Sequence, residues 1–231
     1  MSSQKFINHG HPSSPLLGED GWDRCRGFFI DCCRKTPAFM HGECQKEGVF
    51  MRRSNKKIQD HKVLVELLMM CHVGRLGTIT RDGYPMVKPL NFVYHNDRIY
   101  FHTAKEGEKI NDIKRDNRVC FEVDLPLALV KSKGSPCRAE YLYRSVIVKG
   151  KALIVDDPVE RVTALKRLME KYQPEGGYQD FPEEKLRITG VVRIDIEEVS
   201  GKEDLGKEEI KEAVLKALAE RVQLPIVLER V

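Results

Sequence analysis

The chain of 231 residues sets 39 Lys and Arg against 35 Asp and Glu, a net charge of +4 too small and too evenly mixed to mark a nucleic-acid binder. Hydrophobic residues at 41% suffice for a core, yet no run approaches the roughly 20 apolar residues of a membrane span, and no apolar run follows Lys5 to form a secretory signal. The expected setting is the cytoplasm, with seven cysteines reduced rather than bridged.

Residues 1–50 stand apart. They hold four of the seven cysteines and the only Trp, Trp22, and show no apolar period longer than GFFI at 27–30. A metal-binding arm from Cys25, Cys32, Cys33, Cys44 and His41 is one reading, but adjacent Cys32 and Cys33 replace the two-residue separations of familiar zinc sites. No metal site is therefore assigned. The preferred expectation is a disordered or non-native extension, with translation starting at Met51, whose Met51-Arg52-Arg53 opens onto the first patterned element.

Asp60 caps a predicted helix through Met70, since Val63, Leu64, Leu67, Leu68 and Cys71 share one face, and this helix should plug one end of a barrel. Strands are expected over 73–80 and 84–94, with Pro85 and Pro89 confining the second to an edge or bulge. A further strand over 98–103 leads into a helix over 106–115, acidic in its first turn and basic in its last. Val119, Phe121 and Val123 alternate with Cys120 and Glu122 in the next strand, 117–124.

Pro126, Gly134 and Pro136 read as a loop over 125–136. A long strand follows over 139–155, bent at Gly150. Asp157-Pro158 opens a helix with Val162, Leu165, Leu168 and Met169 on its buried stripe, and 173–182, with two Pro and two Gly, reads as a loop or lid. A strand over 186–199 and an amphipathic helix over 207–221 complete the pattern, with the apolar tail QLPIVLERV docked. The tally is mainly β, about six antiparallel strands in a small closed barrel with peripheral helices.

The motifs VGRLGT, DGYPMVKPLNF, IYFHTAKEGEKINDI, NRVCFEV and YRSVIVKGKA, in this order within 51–202, resemble the flavin-binding split-barrel family of pyridoxamine 5'-phosphate oxidase, most closely its nitroimidazole-reductase (Nim-type) branch. Residues 203–231 then form a C-terminal helix and tail. The resemblance implies a six-stranded antiparallel split barrel, forming a homodimer with FMN in a groove between the subunits. By the same resemblance Lys88, Thr103 and Lys109 hold the flavin phosphate and Pro89, Leu90 and Asn91 line the ring. Arg75 and His102 are further polar groups beside the groove, His102 standing where the oxidases have a tyrosine.

The departures are specific. Gly107-Glu108-Lys109 replaces the oxidases' Ser-Arg-Lys, Val93 replaces a lysine beyond the ring-lining strand, and the C-terminal tryptophan and arginine that hold pyridoxal phosphate are missing. The resemblance thus implies an FMN-dependent oxidoreductase reducing a small oxidised acceptor such as a nitroaromatic, with His102 as candidate proton donor. The alternative is a non-catalytic carrier of flavin, deazaflavin or haem. No Gly-rich dinucleotide fingerprint is present, so NAD(P)H would be a transient visitor. Read by themselves, Lys88 and Lys109 are also compatible with solvated charges, Thr103 with a strand-ending hydroxyl, His102 with a packed structural residue, and Cys120 with an inert core thiol.

Overall fold

In chain order, α1 (His61–Met70) leads into β1 (Gly74–Ile79), β2 (Pro85–Leu90), β3 (Val93–His95) and β4 (Arg98–Ala104). After α2 (Glu108–Arg115) come β5 (Arg118–Ser132) and β6 (Glu140–Ile154), then α3 (Pro158–Tyr172), α4 (Glu183–Ile188), β7 (Thr189–Asp204), α5 (Glu208–Ala219) and β8 (Ile226–Arg230). The computed structural model describes residues 53–230, and the readings made of residues 1–50, the cysteine arm included, lie outside them.

The strands form one sheet in the order β2-β1-β5-β6-β7-β4-β3, with β8 parallel to β5 and every other pairing antiparallel. Its end strands β2 and β3 do not pair, so the barrel is split, not closed as the strand pattern suggested. The sheet wraps a core built from Leu76, Phe92, Phe101, Phe121, Val146 and Ile194, which α1 covers with Leu64, Leu67 and Leu68. Asp60 caps α1 as expected, its carboxylate accepting from the Lys62 amide at 2.9 Å.

Eight strands replace the expected six, for identifiable reasons. The run over 84–94 divides because the Phe92 amide donates not to a neighbouring strand but to Tyr172 Oη, at 2.9 Å. That oxygen also lies 2.6 Å from His72 O and 3.0 Å from Phe92 O, either of which can accept its single proton. The second addition is β8, where the docked tail becomes a strand along Ala128–Ser132 of β5. The predicted loop over 125–136 is mostly strand, because a bulge between Pro126 and Ala128 absorbs the missing proline donor and lets β5 pair β6 up to Val130. There Leu127, Val130, Leu142 and Val214 make a satellite core under α5.

Two smaller corrections follow from the same geometry. Residues 183–188 are helical, so the last long strand starts at Thr189 rather than at 186. Cys120 is exposed, not a core thiol: Val119 and Phe121 point into the barrel, and the pleat turns the residue between them out. β2, with its two prolines, is an end strand as expected. Among the described residues no helix is long and apolar enough to cross a membrane.

The bend in β6 falls at Gly150, where the pairing with β7 shifts register. A Cβ there would sit 2.3 Å from the Asp195 carbonyl oxygen, an atom held in the ladder. Gly150→Ala should therefore lower the free energy of unfolding in urea by about 1–3 kcal/mol, the usual cost of overpacking. Gly77→Ala, whose methyl would meet Cys120 at an ordinary 3.5 Å, should cost far less. Equal losses would show that close approach at Gly150 does not govern the bend.

Candidate functional site

Lys88 on β2 stands opposite Leu76 in the ladder and reaches Glu108 at the start of α2, Nζ to Oε2 2.6 Å. The residue before that helix, Gly107, has φ 123°, which only glycine adopts without strain, and no side chain caps the amides that follow. Next to Glu108, Lys109 lays its ammonium 5.2 Å from the Phe101 ring centroid. Burial, then the charge of Lys88, lowers the Lys109 pKa from its ordinary value. Two mutually repelling cations thus meet at the positive end of a helix, an arrangement that an anion relieves. Glu108 provides partial relief, but it is largely exposed, and such surface pairs contribute only about 0–1 kcal/mol. Two charge-assisted hydrogen bonds to a phosphate dianion, each worth about 1.5–3 kcal/mol, exceed that contribution.

A different face of β4 carries His102. With Asn91 it walls an apolar cavity of about 230 Å³ formed by Leu165, Leu168 and Tyr172 of α3, with Phe181 and Lys185 contributed from the 173–188 segment. Burial, then Lys109, lowers the His102 pKa below its ordinary value, so the imidazole is neutral at pH 7. Behind this cavity Lys171 stacks its ammonium 3.8 Å from the Phe92 ring centroid and donates to Leu68 O at 3.2 Å, and burial pushes its pKa down to about 8. Lys171 and Tyr172 together fasten the end of α3 to the irregular turn at 91–92.

The eight residues singled out from the sequence therefore divide. Lys88 converges with Lys109, and Asn91 with His102. Thr103 lines a separate cavity, because the pairing of His102 with Val191, Thr103 with Gly190 and Ala104 with Thr189 runs without a break and puts neighbours on opposite faces. Arg75 lies opposite Pro89 on the outer side of the sheet, bonded to Glu122 at 3.1 Å and to Asp124. Leu90 packs against the main core. Tyr172, Phe181 and Lys185 were not singled out from the sequence. A signal existed for Tyr172, which continues the Leu165 and Leu168 stripe by one helical turn, whereas Phe181 and Lys185 reach the cavity only through tertiary folding.

A family profile described as pyridoxamine 5'-phosphate oxidase matches residues 60–203. The chain belongs to this family. No curated protein matches it. Among solved structures, it is 27% identical to a candidate 5-nitroimidazole antibiotic resistance protein from Bacteroides thetaiotaomicron, over 63% of this chain and 85% of that one, with a TM-score of 0.57. Two more distant structures share the fold. The flavocytochrome Anf3 of Azotobacter vinelandii matches at 21% identity over 71% of this chain and 78% of its own, TM-score 0.61. The FAD and haem binding protein of Mycobacterium smegmatis matches at 17% over 70% and 80%, TM-score 0.60.

Titration of the His102 ring by NMR should give a pKa below the ordinary histidine value of about 6.5, rising part of the way back in Lys109→Met. Folded His102 then binds fewer protons than the unfolded chain just below that value, so its contribution to stability is present at higher pH and is lost as pH falls through the window. An unchanged titration in Lys109→Met would remove the coupling between the two side chains.

Proposed function

We propose that this protein holds FMN between the subunits of a homodimer and passes electrons from a reduced donor to a small oxidised acceptor such as a nitroaromatic. The observation that carries the reading is the convergence of Lys88 and Lys109 at the uncapped start of α2, close enough to His102 for Lys109 to depress its pKa, while His102 itself walls an apolar cavity. The likeness to the Bacteroides protein supports the acceptor class. A dimer is supported by the outer sheet face, where Ile79, Val87, Cys120 and Ile147 are exposed around the Arg75 ion pairs.

The residues fit the cofactor. Lys88 and Lys109 would hold the phosphate, with Gly107 leaving the approach open, since a Cβ at Gly107 would meet nothing within 4 Å. Pro89, Leu90 and Asn91 would flank the ring, and Arg75 borders the same strand on the outer face. A bound flavin supplies the two-electron redox chemistry. The cavity under Phe181 receives a flat, mostly apolar molecule and keeps water from it, while the Asn91 amide and Lys185 ammonium orient its polar groups. His102 accepts a proton at an imidazole nitrogen more readily once negative charge settles on Lys88 and Lys109, because that charge offsets the Lys109 repulsion, which after burial is the smaller cause of its lowered pKa. It then stands beside the cavity as the proton donor.

Lys88→Ala with Lys109→Ala should release flavin, measured by absorbance after gel filtration, since two charge-assisted contacts of about 1.5–3 kcal/mol each are removed. Undiminished retention would sink the assignment. His102→Gln should keep the flavin but slow nitroaromatic reduction and flatten its pH dependence between about 6 and 8. Turnover at the parent rate throughout that range would make His102 structural.

A further inference from the structure

The cavity on the opposite face of β4 from His102 mixes polar and apolar walls, is about 360 Å³ in volume, and plays no part in the scheme above. Four elements bring charge to its wall: Lys105 just past β4, Lys114 from α2, Asp156 just past β6 and Arg161 in the first turns of α3. The Thr103 hydroxyl joins them over a floor of Ile110, Val155 and Val191. Three cations against one carboxylate leave an excess of positive charge. Among the described residues none of the three cations has an ion-pair partner, and the Arg161 Nε is buried without a hydrogen-bond acceptor. Lys105 and Lys114 are exposed and Arg161 is half-buried, so their charged ends are free to meet a ligand in the cavity.

We propose that this cavity is a second anion site, which takes the phosphate of a small phosphorylated sugar. A phosphate in the cavity accepts from the terminal guanidinium nitrogens of Arg161 and from the two ammonium groups, and Thr103 donates to a further oxygen. The volume equals about a dozen waters at ~30 Å³ each, more than a phosphate fills, and leaves room for a body of pentose size against the apolar floor. A cavity walled by five separate segments suits a small molecule better than the tail of a protein partner. The site is independent of the Lys88 and Lys109 pair, which joins β2 to the first turn of α2, whereas Lys114 lies in the last turn of that helix.

Calorimetric titration of the full chain with ribose 5-phosphate tests this, with ribose as the uncharged comparator. The sugar phosphate should bind and ribose should not, and Arg161→Gln and Lys114→Gln should each weaken binding by about tenfold or more, as the loss of one charge-assisted contact requires. Lys88→Ala with Lys109→Ala should leave this binding intact even where flavin is lost, so failure of the flavin assignment and failure of this one are distinguishable. Flavin retention by Arg161→Gln reports that the variant is folded. Absence of binding, indifference to both glutamine variants, loss of binding in the Lys88 and Lys109 double variant, or tighter binding of an oligoglutamate peptide than of ribose 5-phosphate would each overturn the proposal.

Discussion

Alternation along β4 governs what this molecule can do. The strand is bonded along its whole length to β7, from Arg98 with Asp195 to Ala104 with Thr189, and over its first residues to β3 as well. A slip of one residue would bring Phe101 out of the core and drive His102 in, so the register is strongly held. Phe101 anchors the barrel interior, His102 looks out toward α3, and Thr103 returns to the other side. Two cavities of different character therefore lie back to back across a single strand, one apolar and one lined by charged and apolar groups together.

In the proposed function, chemistry is coupled to this scaffold through the cations Lys88 and Lys109: besides burial, the larger cause, Lys88 lowers the pKa of Lys109 and Lys109 that of His102. None of these groups is deeply buried, so each interaction alone is modest. Their value lies in having a common relief: a single anion at the start of α2 stabilises both ammonium groups and raises the proton affinity of the imidazole. Glu108, 2.6 Å from the Lys88 ammonium, partly neutralises the pair. In the proposed function, binding and proton uptake are linked through charge.

Much of this was legible in the sequence because it is local. The Asp60 and Asp157 caps, the edge position of the strand holding Pro85 and Pro89, the bend at Gly150 and the apolar stripe of α3 depend on neighbours a few residues away, and the structure has each of them. Most of the losses are tertiary. Pro126 read as a break because a sequence does not display the bulge that accommodates it, and β8 needed the edge of a distant strand to become one. Cys120 is different, since the period-two rule that turns it outward was available in the residues themselves; the same rule puts His102 and Thr103 on opposite faces, as the structure has them. The cavity wall from Phe181 and Lys185 had no periodic signal at all. The resemblance to the oxidases located the site; the packing decides which of its residues meet.

The central claim is that the Lys88 and Lys109 pair exists to receive a flavin phosphate. The most direct measurement is the visible spectrum and intact mass of the full chain after incubation with excess FMN and removal of free ligand. The account predicts a flavin spectrum and one FMN per chain that survive gel filtration, with riboflavin, which lacks the phosphate, failing to be retained. Retention of riboflavin as firmly as FMN, or of neither, would contradict it.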